Sequence, residues 1–214
     1  MEFILAKYVA ELVAVISITI LTIITPGPDF IVVAKNSLSY SRRSGIFTAM
    51  GVASAVWIHI FYTLAGIGVI LSTSIVLFSI VKYLGAAYLI YLGMSSIRSK
   101  GGLEMIQGDK STTPITAFRS YRMGFINNAL NPKATLFFVS LFTQLVSPST
   151  PLSIQIIYGA IVSLSCLIWF SLVAVFLNRS AVKSAFLRAQ KTVEKMMGTV
   201  LIGFGVKVAL ATNS

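Results

Sequence analysis

Residues 134–178 read ATLFFVSLFTQLVSPSTPLSIQIIYGAIVSLSCLIWFSLVAVFLN, 45 residues between Lys133 and Arg179 without one charged side chain. A helix that crosses a bilayer needs about 20 consecutive, mostly apolar residues. A run of 45 is too long for one crossing, so it folds back, and Ser147-Pro148-Ser149-Thr150-Pro151 supplies the turn. The 38 residues between Arg43 and Lys82 read the same way, with the turn at Ser72-Thr73-Ser74. Shorter charge-free runs lie between Glu11 and Asp29 and between Lys82 and Arg98. Working outward from these runs predicts six helices, at about 8–34, 44–71, 75–97, 123–146, 152–177 and 192–212.

Composition agrees. The 214 residues are 56% hydrophobic and 11% charged, where a soluble domain carries about 25% charge. The mean hydropathy is +0.88. An ordinary soluble enzyme, a disordered chain and a nucleic-acid-binding domain are all excluded by that surface. The net charge of +11 has a simpler origin than nucleic acid. Thirteen of the 17 basic residues fall in three segments: 35–43 (Lys35, Arg42, Arg43), 98–122 (Arg98, Lys100, Lys110, Arg119, Arg122) and 178–195 (Arg179, Lys183, Arg188, Lys191, Lys195). The turns at 72–74 and 147–151 hold none. Basic residues collect in cytoplasmic loops, so this alternation predicts three cytoplasmic segments and both termini outside. The start of the chain, with Glu2, Lys7 and Glu11, lacks the basic leader and cleavage site of a removable signal and reads as a retained first span. The single cysteine, Cys166, excludes an internal disulfide, a redox pair and a cysteine metal site.

Three helices, a linker and three more helices give halves of opposite orientation. The expected architecture is therefore an all-α integral membrane protein forming one transporter domain over 1–214. It divides into repeat 1 at about 1–97, a cytoplasmic linker at about 98–122 and repeat 2 at about 123–214, as two inverted three-helix repeats. The first helix of each half carries a breaker: Thr25-Pro26-Gly27-Pro28-Asp29 in one, Asn131-Pro132-Lys133 in the other. Proline removes a backbone donor and frees preceding carbonyls. Freed groups survive at membrane depth only in protein or against a wet cavity. Paired breaks are the best sequence pointer to a transporter's binding site.

The polar residues at the breaks suit a zwitterion. Lys133 lies inside its helix, where a charge costs about 2.5–3.5 kcal/mol even on lenient scales, and is expected to hold a substrate carboxylate. Carbonyls freed around Pro26, Gly27 and Pro28 would take the ammonium. Asn127 and Asn131, one turn apart on one face, add amide contacts beside Pro132. Asp29 is the candidate proton carrier or a counter-charge to Lys133. His59, mid-span in the second helix, reads first as a neutral, hydrogen-bonded side chain and second as a proton relay. Lys82 is expected to snorkel. Gly45, Ala49 and Ala53, and Gly85 with Gly93, form small-residue stripes suited to close helix packing. Segment 178–195 reads either as a short amphipathic helix on the inner membrane surface or as a solvated basic loop.

At these residues the chain resembles the amino-acid exporter family named for the lysine exporter and the homoserine/threonine exporters. Three blocks carry the resemblance: Thr25 to Asp29 followed by a basic loop and Gly45; Lys82-Tyr83-Leu84-Gly85-Ala86-Ala87-Tyr88-Leu89-Ile90-Tyr91-Leu92-Gly93; and Gly124 to Ala134 followed by Phe137-Phe138. The tail from Gly198 to Gly205 also fits, so the likeness spans nearly the whole chain. It implies export of small neutral amino acids across the bacterial inner membrane, driven by protons. Asp29 and the Trp169-Phe170 region lean toward threonine or homoserine. The expected partners are the amino acid, protons and membrane lipids; a homo-oligomer is left open. No phosphate-binding glycine loop is present, so no nucleotide or other cofactor is expected. The alternative is a channel or an exporter of another small solute such as a metal cation. That path would need several acidic oxygen ligands, and Asp29 alone qualifies, so no metal site is expected. An intramembrane enzyme would need a catalytic constellation that one acid, one histidine and one cysteine do not supply.

Overall fold

Proline and a few caps decide where the helices stop. The computed structural model describes residues 2–73, 75–98, 114–147, 149–177 and 179–210, and among these every regular element is an α-helix. The helices are α1 (Glu2–Ile24), α2 (Pro28–Ser39), α3 (Arg42–Thr73), α4 (Ile75–Arg98), α5 (Ala117–Ala129), α6 (Pro132–Leu145), α7 (Leu152–Phe176) and α8 (Ser180–Leu210). Pro28 and Pro132 occupy the first turns of α2 and α6, where a missing N–H is harmless and a fixed φ favours the helix. Each predicted first helix is therefore two helices: 8–34 is α1 plus α2, and 123–146 is α5 plus α6.

Three helix starts differ from the sequence expectation, the first being α1, which begins at Glu2 instead of about 8. α5 starts at Ala117, inside the predicted linker, because the Thr116 hydroxyl accepts the Arg119 N–H at 3.2 Å and caps the helix. Arg119 and Arg122 therefore stand on a helix; residues 99–113 of that linker lie outside the described residues. α8 starts at Ser180 and runs unbroken through the segment read as a surface helix or a loop. Phe186 stacks on Phe30 of α2 at 5.2 Å, so the segment docks on the protein, with Arg188, Lys191 and Lys195 outward. The Lys82 side chain and Ser74 lie outside the described residues. Three helical stretches are individually long and apolar enough to cross a membrane: Ala6–Ile24, Arg42–Gly66 and Leu152–Phe176. Pro132–Phe142 is apolar but shorter, as a helix halved by a break must be.

α3 packs along α5 and α7, and α4 along α8 and α6. The buried centre is built from Val15, Phe30, Val33, Val52, Val56, Phe138, Leu141, Val162 and Phe170. Small residues set the closest approaches. A Cβ on Gly93 of α4 would stand 2.5 Å from the Gly198 carbonyl of α8, and one on Gly198 would overlap the Gly93 carbonyl. Gly45, from the predicted small-residue stripe, faces Ala174 and Ser37, so α2, α3 and α7 converge there.

The two ends of the bundle are built differently. At one end the Glu11 carboxylate of α1 is buried and ties down the α6–α7 turn. It accepts the Ser147 N–H at 3.1 Å and the Thr150 hydroxyl at 2.9 and 3.0 Å. At the other end the exposed Arg42, Arg43 and Arg179 gather where α2 ends, α3 begins and α7 ends.

Candidate functional site

The two breaks meet. Gly27 caps α2 with an extended backbone (φ −151°, ψ −170°) and no side chain, and Pro28 and Asp29 form the first turn. A carboxylate there is favoured by the partial positive charge of a helix N-terminus. Asp29 points at the end of α5. Asn127 Nδ2 donates to its Oδ1 at 2.8 Å; Asn128 Nδ2 and Asn131 Nδ2 both donate to Oδ2 at 3.0 Å. Hydrogen bonds to a charged group are about twice as strong as neutral ones, so this cluster clamps the first break to the second.

Lys133 completes the crossing from the other side. The Asn131 side chain accepts the Lys133 N–H at 3.0 Å and caps α6, and the Tyr88 hydroxyl of α4 donates to the Lys133 carbonyl at 3.3 Å. The ammonium lies over Gly27: a Cβ built there would stand 3.1 Å from Lys133 Nζ. The φ of Gly27 suits any residue, and a Cβ there would press on the lysine tip, which would have to shift by a few tenths of an ångström.

Two cavities flank this crossing. One of about 50 Å³ is lined by Asp29, Asn128, Asn131, Val56, Phe138, Cys166 and Phe170 among others. A second of about 200 Å³ is lined by Thr22, Thr25, Pro26, Gly27, Pro28, Leu92, Ser95, Ser96, Lys133, Glu194 and Leu201. Thr22, Thr25, Gly27, Pro28 and Lys133 line both.

The sequence-predicted residues are therefore brought together, with altered neighbours. Pro26, Gly27, Pro28 and Lys133 border the larger cavity. Asn127 and Asn131 spend their side-chain donors on Asp29 instead of on open space, and Pro132 is exposed at the start of α6. Asp29 takes its hydrogen bonds from three asparagines, and its charge and that of Lys133 act on each other across the crossing. His59 is fully buried one step behind. In the neutral ring Nε2 donates to the Asn128 carbonyl at 3.0 Å, Nδ1 accepts from the Tyr62 hydroxyl at 2.7 Å, and the ring stacks on Phe138.

Two residues escaped the sequence reading. Asn128 had a usable signal: it stands i, i+3 to Asn131 and so shares its face. Glu194 falls at the edge of the last helix expected at 192–212; with α8 beginning at Ser180 it lies mid-helix and is 2% exposed. Among the described residues no group of three or more His, Cys, Asp or Glu side chains is placed to hold a metal ion.

Comparison with known proteins follows this geometry. The chain is 31% identical over 208 residues to the uncharacterized membrane protein YrhP of Bacillus subtilis (strain 168), covering 94% of this chain and 99% of the relative. It is 30% identical over 201 residues to the leucine efflux protein of Salmonella choleraesuis (strain SC-B67), covering 89% and 90%. It is 26% identical over 195 residues to the threonine efflux protein of Salmonella typhi, covering 90% and 94%. No solved structure matches it. The family model described as LysE type translocator matches residues 20–212, both breaks included, and the chain belongs to that family.

Proposed function

We propose that this chain is a secondary exporter of small neutral amino acids, with threonine or homoserine as the first substrates to try, working across the bacterial inner membrane by proton exchange. The observation that carries the reading is the crossing of the two helix breaks, where Lys133 lies over Gly27 beside a cavity of about 200 Å³. Two relatives are named for efflux of threonine and of leucine, which supports export and an uncharged side chain. The breaks lie in the first helices of two halves that run in opposite senses, six crossings in all, with the basic segments in the cytoplasm and both termini in the periplasm.

In this mechanism the substrate carboxylate meets Lys133, with the positive end of α6 behind it. The ammonium meets carbonyls freed around Pro26 and Pro28. Asp29 carries the coupling proton, and its three amide donors rearrange when it is protonated. Inverted membrane vesicles holding the protein should take up radiolabelled threonine or homoserine when the gradient is imposed and stop when it is collapsed. A broad amino-acid panel that shows no uptake, with the protein present in the membrane, overturns the proposal.

A further inference from the structure

We propose that Glu194 is the ammonium pole of the substrate site. With Lys133 as carboxylate pole, it makes the cavity between α1, α4, α6 and α8 a cradle for one zwitterion with a short, uncharged side chain. The inference rests on the export reading and assigns the ammonium to Glu194 instead of to freed carbonyls alone.

The Glu194 carboxylate is only half satisfied. Gln190, one turn earlier on α8, donates to Oε1 at 2.8 Å, while Oε2 is buried with no hydrogen-bond partner. A buried charge is costly unless paired, and within a membrane the cost marks function by default. Glu194 is held there from behind: the Ser96 hydroxyl of α4 donates to its backbone carbonyl at 2.8 Å, beside the Gly93–Gly198 crossing. Glu194 is among the residues that line the cavity of about 200 Å³, as is Lys133. Asp29 borders the other, smaller cavity and has three amide donors of its own. Glu194 is the acidic residue in the lining of the larger space, and one of its carboxylate oxygens is buried without a partner.

The charges then balance in one way. Lys133 and Glu194 are the charged residues lining this cavity, and they are opposite in sign. An α-amino acid inserted with its poles reversed meets an opposite charge at each end and leaves the site neutral. Thr22, whose hydroxyl is also buried without a partner, is another residue of the same lining. Leu92 and Leu201 supply an apolar wall for the side chain. The volume equals about seven waters at roughly 30 Å³ each, enough for a short side chain. A cationic side chain would find no second carboxylate in this wall.

The test uses the full chain in proteoliposomes, with L-threonine, L-homoserine and L-leucine as probes. For the exported probe, the matching 2-hydroxy acid, which lacks the ammonium, is offered as competitor. Wild-type protein should favour the amino acid over the hydroxy acid by tenfold or more. Glu194→Gln, which keeps shape and can keep the Gln190 contact, should raise KM tenfold or more and erase that preference, with unchanged elution and melting. A merely structural Glu194 would leave the preference intact. If the wild type exports a probe and Glu194→Gln retains both its KM within twofold and its preference, the inference fails while the export reading stands. If the wild type exports none of a broad panel, both fail. Should Glu194→Gln not fold, Glu194→Asp decides: it keeps the charge but draws it back by one methylene, so KM for the amino acid should rise while the preference over the hydroxy acid persists, and an unchanged KM overturns the assignment.

Discussion

Replacing Asp29 with alanine tests the clamp between the two breaks. The substitution removes the acceptor shared by Asn127, Asn128 and Asn131. Asn127 is half-buried and recovers a bond to water. Asn128 and Asn131 are 3% and 4% exposed and face the small cavity of about 50 Å³ instead of bulk water. An orphaned buried donor costs about 1–3 kcal/mol, so two of them cost about 2–6 kcal/mol. Losing an acid from the first turn of α2 adds about 0.3–1 kcal/mol. Asp29→Asn should cost far less. Its amide oxygen can face Asn128 and Asn131, and Asn127 can flip to accept from its NH₂. The assay is reversible denaturation in mixed micelles, followed by the fluorescence of Trp57 and Trp169. The ordering expected is wild type, then Asp29→Asn close behind, then Asp29→Ala several kcal/mol lower. Equal stability of wild type and Asp29→Ala would refute the clamp, and so would an Asp29→Asn as unstable as the alanine variant.

Other outcomes follow from the same geometry. Lys133→Met, similar in length but uncharged, should abolish efflux while the protein stays in the membrane at wild-type level; efflux with unchanged KM removes Lys133 from the site. Asp29→Asn should retain exchange of labelled for unlabelled substrate but lose gradient-driven accumulation, and full accumulation takes Asp29 out of the coupling. Gly198→Ala should destabilise by about 1–3 kcal/mol through overpacking, because its Cβ overlaps the Gly93 carbonyl; Gly203→Ala, with open space around it, should cost none of that overpacking energy, and equal melting of the two variants contradicts the α4–α8 contact. A reporter active only in the periplasm should work when fused at Ser214 and fail at Gly108; the reverse pattern inverts the proposed topology.

The sequence by itself determined the medium of this protein, the helix breaks and part of the candidate site. Charge-free runs longer than one crossing require a membrane and a turn, whatever the packing. Prolines at 26, 28 and 132 stop helices through local sterics and a missing donor, so the ends of α1 and α5 were legible without tertiary information. Lys133 and Asp29 stood out because charge within or beside an apolar run demands a partner. Which partner was a different matter. Asn127 and Asn131 were read as substrate contacts because helix periodicity places them on one face, but not what that face meets; packing put Asp29 there. Glu194 was hidden for a related reason. Its burial depends on α8 continuing back to Ser180, and that continuation depends on Phe186 finding Phe30 and on glycines letting α8 touch α4. Local rules act within one or two turns of helix. The cavity that joins Lys133 to Glu194, 61 residues apart in the chain, exists only once α1, α4, α6 and α8 have packed.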